Sequence, residues 1–419
     1  MKASFLLFLI AVIPAKMLFA AEPPGPRHGD KLIIVNDDGF SQFHSGRYRT
    51  AADLRDRVGS LADTQVAVFE WCIVAGSRVN FSSPVHELIG EGVPAYPRRG
   101  DQLAAETLMR FRDEGADTLQ IVADACREDG IECYASMRMN GDYSAKAWDG
   151  LIAPFFNSDF WAGHPGFRQK TAGGLEQTRL SYAYPEVREF KLSILREALE
   201  RDIDGINLDF HRHPNFFGYE DPMLKAFTDR YGEDGREAPL DDPRWEPLRA
   251  AHMTEFVRET RRLLDEALKN RGRHLGLSVR VDWQKYRTWG CDLETWLSEG
   301  WLDYLVVGQY GLGGYEFDIS PFVAMAKPSG CAVLFGEECI LDGHDTTAAE
   351  DKLIAAGKLE KPRRGTLSQS DLERRAARWY ADGADGVHLF NPGAPGALKT
   401  LGSVKPGTDE AVDTRRWEK

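Results

Sequence analysis

From Lys31 onward, short apolar runs that end in polar residues alternate with longer stretches of helical period, the pattern of repeated strand–helix units on a parallel sheet. The runs are KLIIVNDD (31–38), QVAVFEWCIVAG (65–76), ECYASMRMN (132–140), IDGINLDF (203–210), LGLSVRVDW (275–283), LDYLVVGQY (302–310), CAVLFGEEC (331–339) and DGVHLFNP (385–392). The stretches 100–130, 184–201, 253–270 and 367–385 read as helices, with proline or serine near several starts and glycine at several ends. Eight such units predict a (β/α)8 barrel. The alternative, an open doubly wound sheet, lacks a Gly-x-Gly-x-x-Gly turn after its first strand. Segments 141–185 and 211–250 are too long for simple connections and both follow strands, so they are expected to overhang the C-terminal mouth, where barrel enzymes keep their sites.

Barrel strands send alternate side chains outward under the helices and inward to the axis, so the apolar set on each strand marks its outer side. In the fourth run Ile206, Leu208 and Phe210 face out, which turns Gly205, Asn207 and Asp209 inward with Asp209 at the mouth. The fifth run turns Gly276, Ser278, Arg280 and Asp282 inward, and the third Ser136, Arg138 and Asn140. In the seventh, small inward residues favour Glu338 over Glu337. The first and eighth runs leave Asp37 versus Asp38, and the aim of Asn391, open.

Composition narrows the function. A chain of 419 residues, 42% hydrophobic, is globular. The net charge of −13 disfavours nucleic acid and anionic membranes as partners. Residues 1–21 have the lysine, apolar stretch (Phe5–Ile13) and small residues of a cleaved signal peptide, predicting an exported protein, periplasmic or extracellular, with a barrel over 29–395 and a tail over 396–419. Pro14 and Lys16 interrupt the leader and leave an uncleaved anchor as the alternative. The six cysteines all lie beyond it, permit disulfides in an oxidising compartment, and match no zinc spacing; most sit in apolar runs, where they read first as small buried hydrophobes.

At Tyr184, Pro185, Glu186, Val187 and Arg188, followed by Asp204, Gly205, Ile206, Leu208, Asp209 and Arg212, the sequence resembles the glycosyl-hydrolase-like barrels of family ten. The resemblance implies a carbohydrate-active (β/α)8 barrel with Asp209 in its active site, but it does not name a second carboxylate. The same strand is similar to the chitinase signature Asp-Gly-x-Asp/Asn-x-Asp-x-Glu. Here His211 stands in place of the final glutamate, which is the acid of that mechanism.

Glycoside hydrolysis normally needs two carboxylates flanking the bond, one protonated and one ionised. Asp209 is the candidate nucleophile or base, kept ionised by Arg280. Glu338, with no cation evident in sequence, is the candidate acid, ahead of Asp282 beside Arg280. Arg138, Asn140, His211, Arg212, Arg280, Gln309 and Asp38 are candidate substrate-binding residues, and no cofactor or metal is expected. Each carboxylate could instead be an internal counterion for an arginine. Two further readings remain: a noncatalytic sugar-binding barrel, and a metal-dependent hydrolase suggested by His211-x-His213 and the turn Asn36–Gly39. The mouth loops hold Trp148, Phe155, Phe156, Phe160, Trp161, Phe216, Phe217, Tyr219, Trp283, Tyr286 and Trp289, most of them expected to pack the loops. If Asp209 and Asp282 leave one of Arg138, Arg212 and Arg280 unneutralised, that cation suits an anionic glycan.

Overall fold

The computed structural model describes residues 26–146, 150–311, 314–341, 346, 348–362 and 365–407. The expected leader at 1–21, Trp148 and the end of the tail lie outside them. Eight strands form a closed parallel barrel: β1 (Leu32–Asp37), β2 (Val66–Cys72), β3 (Glu132–Arg138), β4 (Gly205–Asp209), β5 (Gly276–Asp282), β6 (Tyr304–Gly308), β7 (Ala332–Glu338) and β8 (Gly386–Phe390). Each pairs with its neighbours in sequence, and β8 closes on β1 with Gly386 opposite Leu32. All eight lie within the apolar runs of the sequence, because those runs are β-branched and aromatic and are bounded by turn residues.

The expected alternation holds. Ile33, Val35, Phe69, Trp71, Leu208, Val279 and Val281 belong to the large outer core beneath the helices, while Leu32, Ile34, Val68, Tyr134, Tyr304, Val306 and Leu334 form a separate inner cluster that fills the barrel axis. The bulky Tyr134 fits because Gly276 faces it, where a Cβ would lie 1.9 Å from the phenol oxygen. The second run is shorter than the sequence suggests. It ends at Cys72, and after it Val74–Ala75 pairs back on Arg78–Val79 around Gly76, which is in the left-handed region. The stretch 100–130 is two helices, Arg99–Asp113 and Thr118–Glu128. Gly115 at φ 71° ends the first, and the Asp117 carboxylate caps the second by accepting the Gln120 N–H.

The two long segments are stitched to each other. A hairpin, Arg168–Lys170 against Glu176–Leu180, projects from the first. Its Gln169 amide donates to the Asn215 carbonyl, Arg179 donates to the Pro214 carbonyl, and the Tyr219 N–H donates to the Lys170 carbonyl. At the other end of the barrel the Gly402 carbonyl accepts the N–H groups of Asp30 and Lys31. All six cysteines are buried free thiols, so the disulfides that the sequence permits are not formed here. Among the described residues no helix is long and apolar enough to cross a membrane.

Candidate active site at the C-terminal mouth

Above the apolar inner cluster the axis turns polar. Asn36 donates to Glu70 and Ser136, Ser136 to Asn207, Asn207 to Ser278, and Ser278 back to Glu70, a closed ring contributed by five strands. His388 from β8 joins it, its Nε2 2.9 Å from a Glu70 oxygen. Satisfying every one of these buried contacts at once fixes the rotation of the strands about the axis. Glu70 and His388 are not among the site residues expected from sequence, although each is the single acidic or imidazole side chain inside its apolar strand.

The next layer holds the carboxylates. Strand register sets Arg138 opposite Asp209, and Asp209 opposite Arg280, so the three lie side by side in alternating charge on β3, β4 and β5. Arg280 is fully buried. One guanidinium nitrogen lies 3.6 Å from Asp209 Oδ2 and the other donates to Glu338 Oε1 at 2.6 Å. Asp209 also accepts the His211 N–H at 2.9 Å, which turns the chain sharply and aims the imidazole across the mouth. There it fits because β6 carries Gly308, where a Cβ would come within 3.0 Å of the ring.

Glu338 faces inward as parity suggests, but the reason for making it the acid is overturned. Burial would raise its pKa, yet Arg280, then Arg212 and His211, hold it down at about 2. It is an anion at neutral pH. Glu337 faces the other way, bound by both oxygens to Arg375 at 2.9 Å. The pairing of Asp282 with Arg280 is corrected too. Asp282 Oδ1 accepts the N–H groups of Gln284 and Lys285, and its Oδ2 accepts that of Tyr310 at 2.7 Å. It is a loop anchor, because a buried carboxylate takes the nearest free amides when no cation is in reach. Asp282→Ala should therefore lower stability by about 1–3 kcal/mol, read in a urea titration, whereas unchanged stability would mean that these amides find water instead.

Asp38 accepts from the Phe40 and Ser41 amides and from Asn391, which itself sits at φ 47°. Burial pushes the Asp38 carboxyl up, but Arg138 and the Ser41 hydrogen bonds outweigh it and the net shift is downward. Asp37 lies on the opposite side, held by Tyr48 and Arg57. Asn140 is buried and donates to the Asn215 carbonyl at 3.1 Å, tying the mouth wall to the second long segment. Gln309 is exposed and packs on Gly314, with no described contact to the carboxylate layer.

Most of the mouth aromatics pack the loops, as the sequence suggests: Phe155, Phe156, Phe216, Phe217, Trp161, Tyr219, Tyr286 and Trp289 are buried. Tyr310, which the sequence reading passed over, is the exception at 43% exposed. It stands edge-on to both Trp289 and His211, with ring centroids 5.9 and 6.3 Å away. The imidazole of His211 is itself buried, and neither ring nitrogen has a hydrogen-bond partner. Burial and then Arg280 push its pKa far down, so it is neutral. His213 points elsewhere, edge-on to Tyr143. The two histidines do not converge, and among the described residues no group of three or more His, Cys, Asp or Glu side chains is placed to hold a metal ion.

The mouth thus joins buried carboxylates, arginines and an exposed aromatic ring, and its likeness to known proteins can be set beside this geometry. No curated protein matches the sequence. The fold is similar to that of the glycoside hydrolase domain of PgaB (BpsB) from Bordetella bronchiseptica, at 13% identity over 90% of this chain and 99% of that one, with a TM-score of 0.55. A family 18 N-acetylglucosaminidase from Paenibacillus barengoltzii matches at 11% identity over 89% and 98% of the two chains, with a TM-score of 0.42. Residues 90–313 match the model of the family glycosyl hydrolase-like 10, and the chain belongs to that family.

Proposed function

We propose that the protein is a glycoside hydrolase acting on an oligo- or polysaccharide at the C-terminal mouth, with Asp209 as the catalytic carboxylate. The observation that carries this reading is the buried Arg280 holding Asp209 and Glu338 together at the open end of the barrel. A buried cation keeps nearby carboxylates charged while water is excluded, and that is the state needed to stabilise an oxocarbenium-like transition state or to attack it. Glu338, its pKa held down at about 2, serves the reaction as a fixed negative charge. His211, neutral and buried beside Asp209, walls the site. Tyr310 offers the apolar platform on which a sugar ring stacks.

The carbohydrate itself is expected to arrive without a cofactor, and export remains the expected route to an extracytoplasmic glycan. The test is release of new reducing ends from a panel of oligosaccharides by the purified chain. Release of none would overturn the hydrolase.

A noncatalytic sugar-binding barrel is the second reading, and one observation favours it. The inward carboxyls of the mouth layer with a resolved shift, Glu338 and Asp38, are both shifted down, which supplies charge but no proton donor for the leaving group. Binding of an oligosaccharide with no turnover in the wild type would select this reading.

Tyr310→Ala separates platform from chemistry. Loss of one stacking contact, about 0.5–1.5 kcal/mol, should raise KM several-fold and leave kcat within about twofold. A fall in kcat alone would place Tyr310 at the reacting atoms instead.

A further inference from the structure

The carboxylates occupy one side of the mouth. On the other side, where the loops after β3 and β4 meet, the charge is reversed. Arg212 follows β4, with its guanidinium 4.1 Å above the Phe390 ring. It makes no hydrogen bond or ion pair with any described residue, and its buried Nε is unpartnered. Arg138, at the end of β3, makes none either: Asp38 and Asp209 act on it only through space, and its Nε is also orphaned. Arg179, from the hairpin that overhangs the mouth, donates to the Pro214 carbonyl at 2.7 Å and leaves its own Nε unpartnered. The charged groups acting on Arg179 are Tyr310 and Asp142, and Asp142 also acts on Arg168 and the buried Lys191.

Arg138, Arg179 and Arg212 all act on His213, which lies between Arg212 and the Pro214 that Arg179 grips. The histidine is in the left-handed region at φ 47°, with its ring edge-on to Tyr143 at 5.7 Å. Burial first, then Arg179, Arg138 and Arg212 push its pKa down to about 4, and no carboxylate pulls the other way. Asp38 and Asp209 face Arg138, Asp142 faces Arg179 and Glu338 faces Arg212, all through space only, so the three guanidinium groups keep unused N–H donors beside a half-buried ring in a protein whose net charge is −13. Arg280 takes no part, because Asp209 and Glu338 already occupy it.

We propose that Arg138, Arg179, Arg212 and His213 form a subsite for an anionic substituent, a carboxylate or sulfate, on the sugar that adjoins Asp209. This rests on the carbohydrate reading above and names its substrate class. The planar guanidinium forks donate paired hydrogen bonds to a carboxylate or sulfate. The anion supplies the charge that His213 lacks, so its imidazole takes up a proton as the ligand binds. Between about pH 4 and the ordinary histidine value of about 6.5, the sign of this linkage makes binding tighten as pH falls.

The experiment is titration calorimetry of the full chain with three tetrasaccharides: a hexuronate, its carboxyl-reduced neutral twin, and a sulfated form of that neutral twin. Each is run at pH 5 and 7 in buffers of different ionisation enthalpy. The expected result is binding of one or both charged sugars about 10- to 100-fold tighter than the neutral twin, the range that one charge-assisted hydrogen-bonding partner contributes. Whichever charged sugar binds tightly identifies the anion. Proton uptake at pH 5 should accompany it and disappear in His213→Gln. Arg179→Gln and Arg212→Gln should weaken the charged sugar more than the neutral one, and Arg212→Lys should recover part of the loss. Equal affinity for all three sugars, or arginine variants that weaken charged and neutral sugars alike, would overturn the subsite and leave the carbohydrate reading standing. Binding of none of them would overturn both.

Discussion

Arg280→Met should destabilise the protein by about 3–5 kcal/mol at pH 7, the usual loss when one partner of a buried ion pair is removed. Methionine fills the space but takes from Asp209 and Glu338 the one cation they share, leaving two carboxylates that are almost wholly buried with only Arg138 and Arg212 acting through space. The pH dependence distinguishes this from simple repacking. In the wild type, Glu338 titrates at about 2 instead of 4.5, a lowered pKa worth about 3 kcal/mol. That contribution is present above pH 4.5 and fades as pH falls toward 2. In the variant the remaining dominant influence is burial, which raises the carboxyl above its ordinary value, so stability is present at low pH and lost as pH rises through the new value. The gap between the two proteins should thus narrow steadily from pH 7 to pH 3. Urea titrations across that range measure it, and a gap that does not change with pH would mean that the ion pairs contribute little and that the loss is one of packing.

The largest effect on activity is expected for Asp209→Asn. The amide keeps the shape of the carboxyl and can still accept the His211 N–H, so the turn after β4 persists. Arg280 keeps Glu338 at 2.6 Å and is not left unpaired. Folding should therefore survive with a loss well below that of Arg280→Met. Hydrolysis should fall by about 10²–10⁴-fold, the range attached to a positioned acid–base group, or further if Asp209 forms a covalent bond to the sugar. Affinity for an oligosaccharide should stay within a few-fold. Substantial residual turnover with an intact melting profile would remove Asp209 from the reaction. Activity that responds to Glu338→Gln instead would move the catalytic carboxylate to β7. Dependence on the leaving group tests whether Glu338 is the acid that the sequence suggests. Because Glu338 is ionised, Glu338→Gln should slow substrates with good and poor leaving groups to a similar degree, and a selective loss on poor ones would restore it as the acid.

Much of this was legible along the chain. The eight strands, their closure into a barrel and the inward aim of Asn207, Asp209, Ser278, Arg280 and Glu338 follow from a period of two and from which set of residues is apolar. Both properties are local to a strand and survive in any register. The family was legible in one helix and the strand after it, since Tyr184–Arg188 and Asp204–Arg212 keep their spacing whatever the rest of the fold does.

What each inward side chain meets was not legible, because that depends on register and reach between strands far apart in sequence. Arg280 lies 58 residues from Glu338. Parity gives both of them the same inward aim but says nothing of which carboxylate the guanidinium will reach. It chose Glu338 and left Asp282 to the amides of the loops after β5 and β6, so the carboxyl that looked free of cations in sequence became the strongly acidic one. Glu70 and His388 were passed over for the same reason: they are separated by 318 residues, and only barrel closure makes them partners. Arg179 belongs to a hairpin whose place over the mouth is set by its hydrogen bonds to the loop after β4. Sequence alone determined the barrel, its mouth and the ionisable groups that face inward. Tertiary structure decided their charge states, because the field at a buried group comes from neighbours that only the closed barrel brings within a few ångströms.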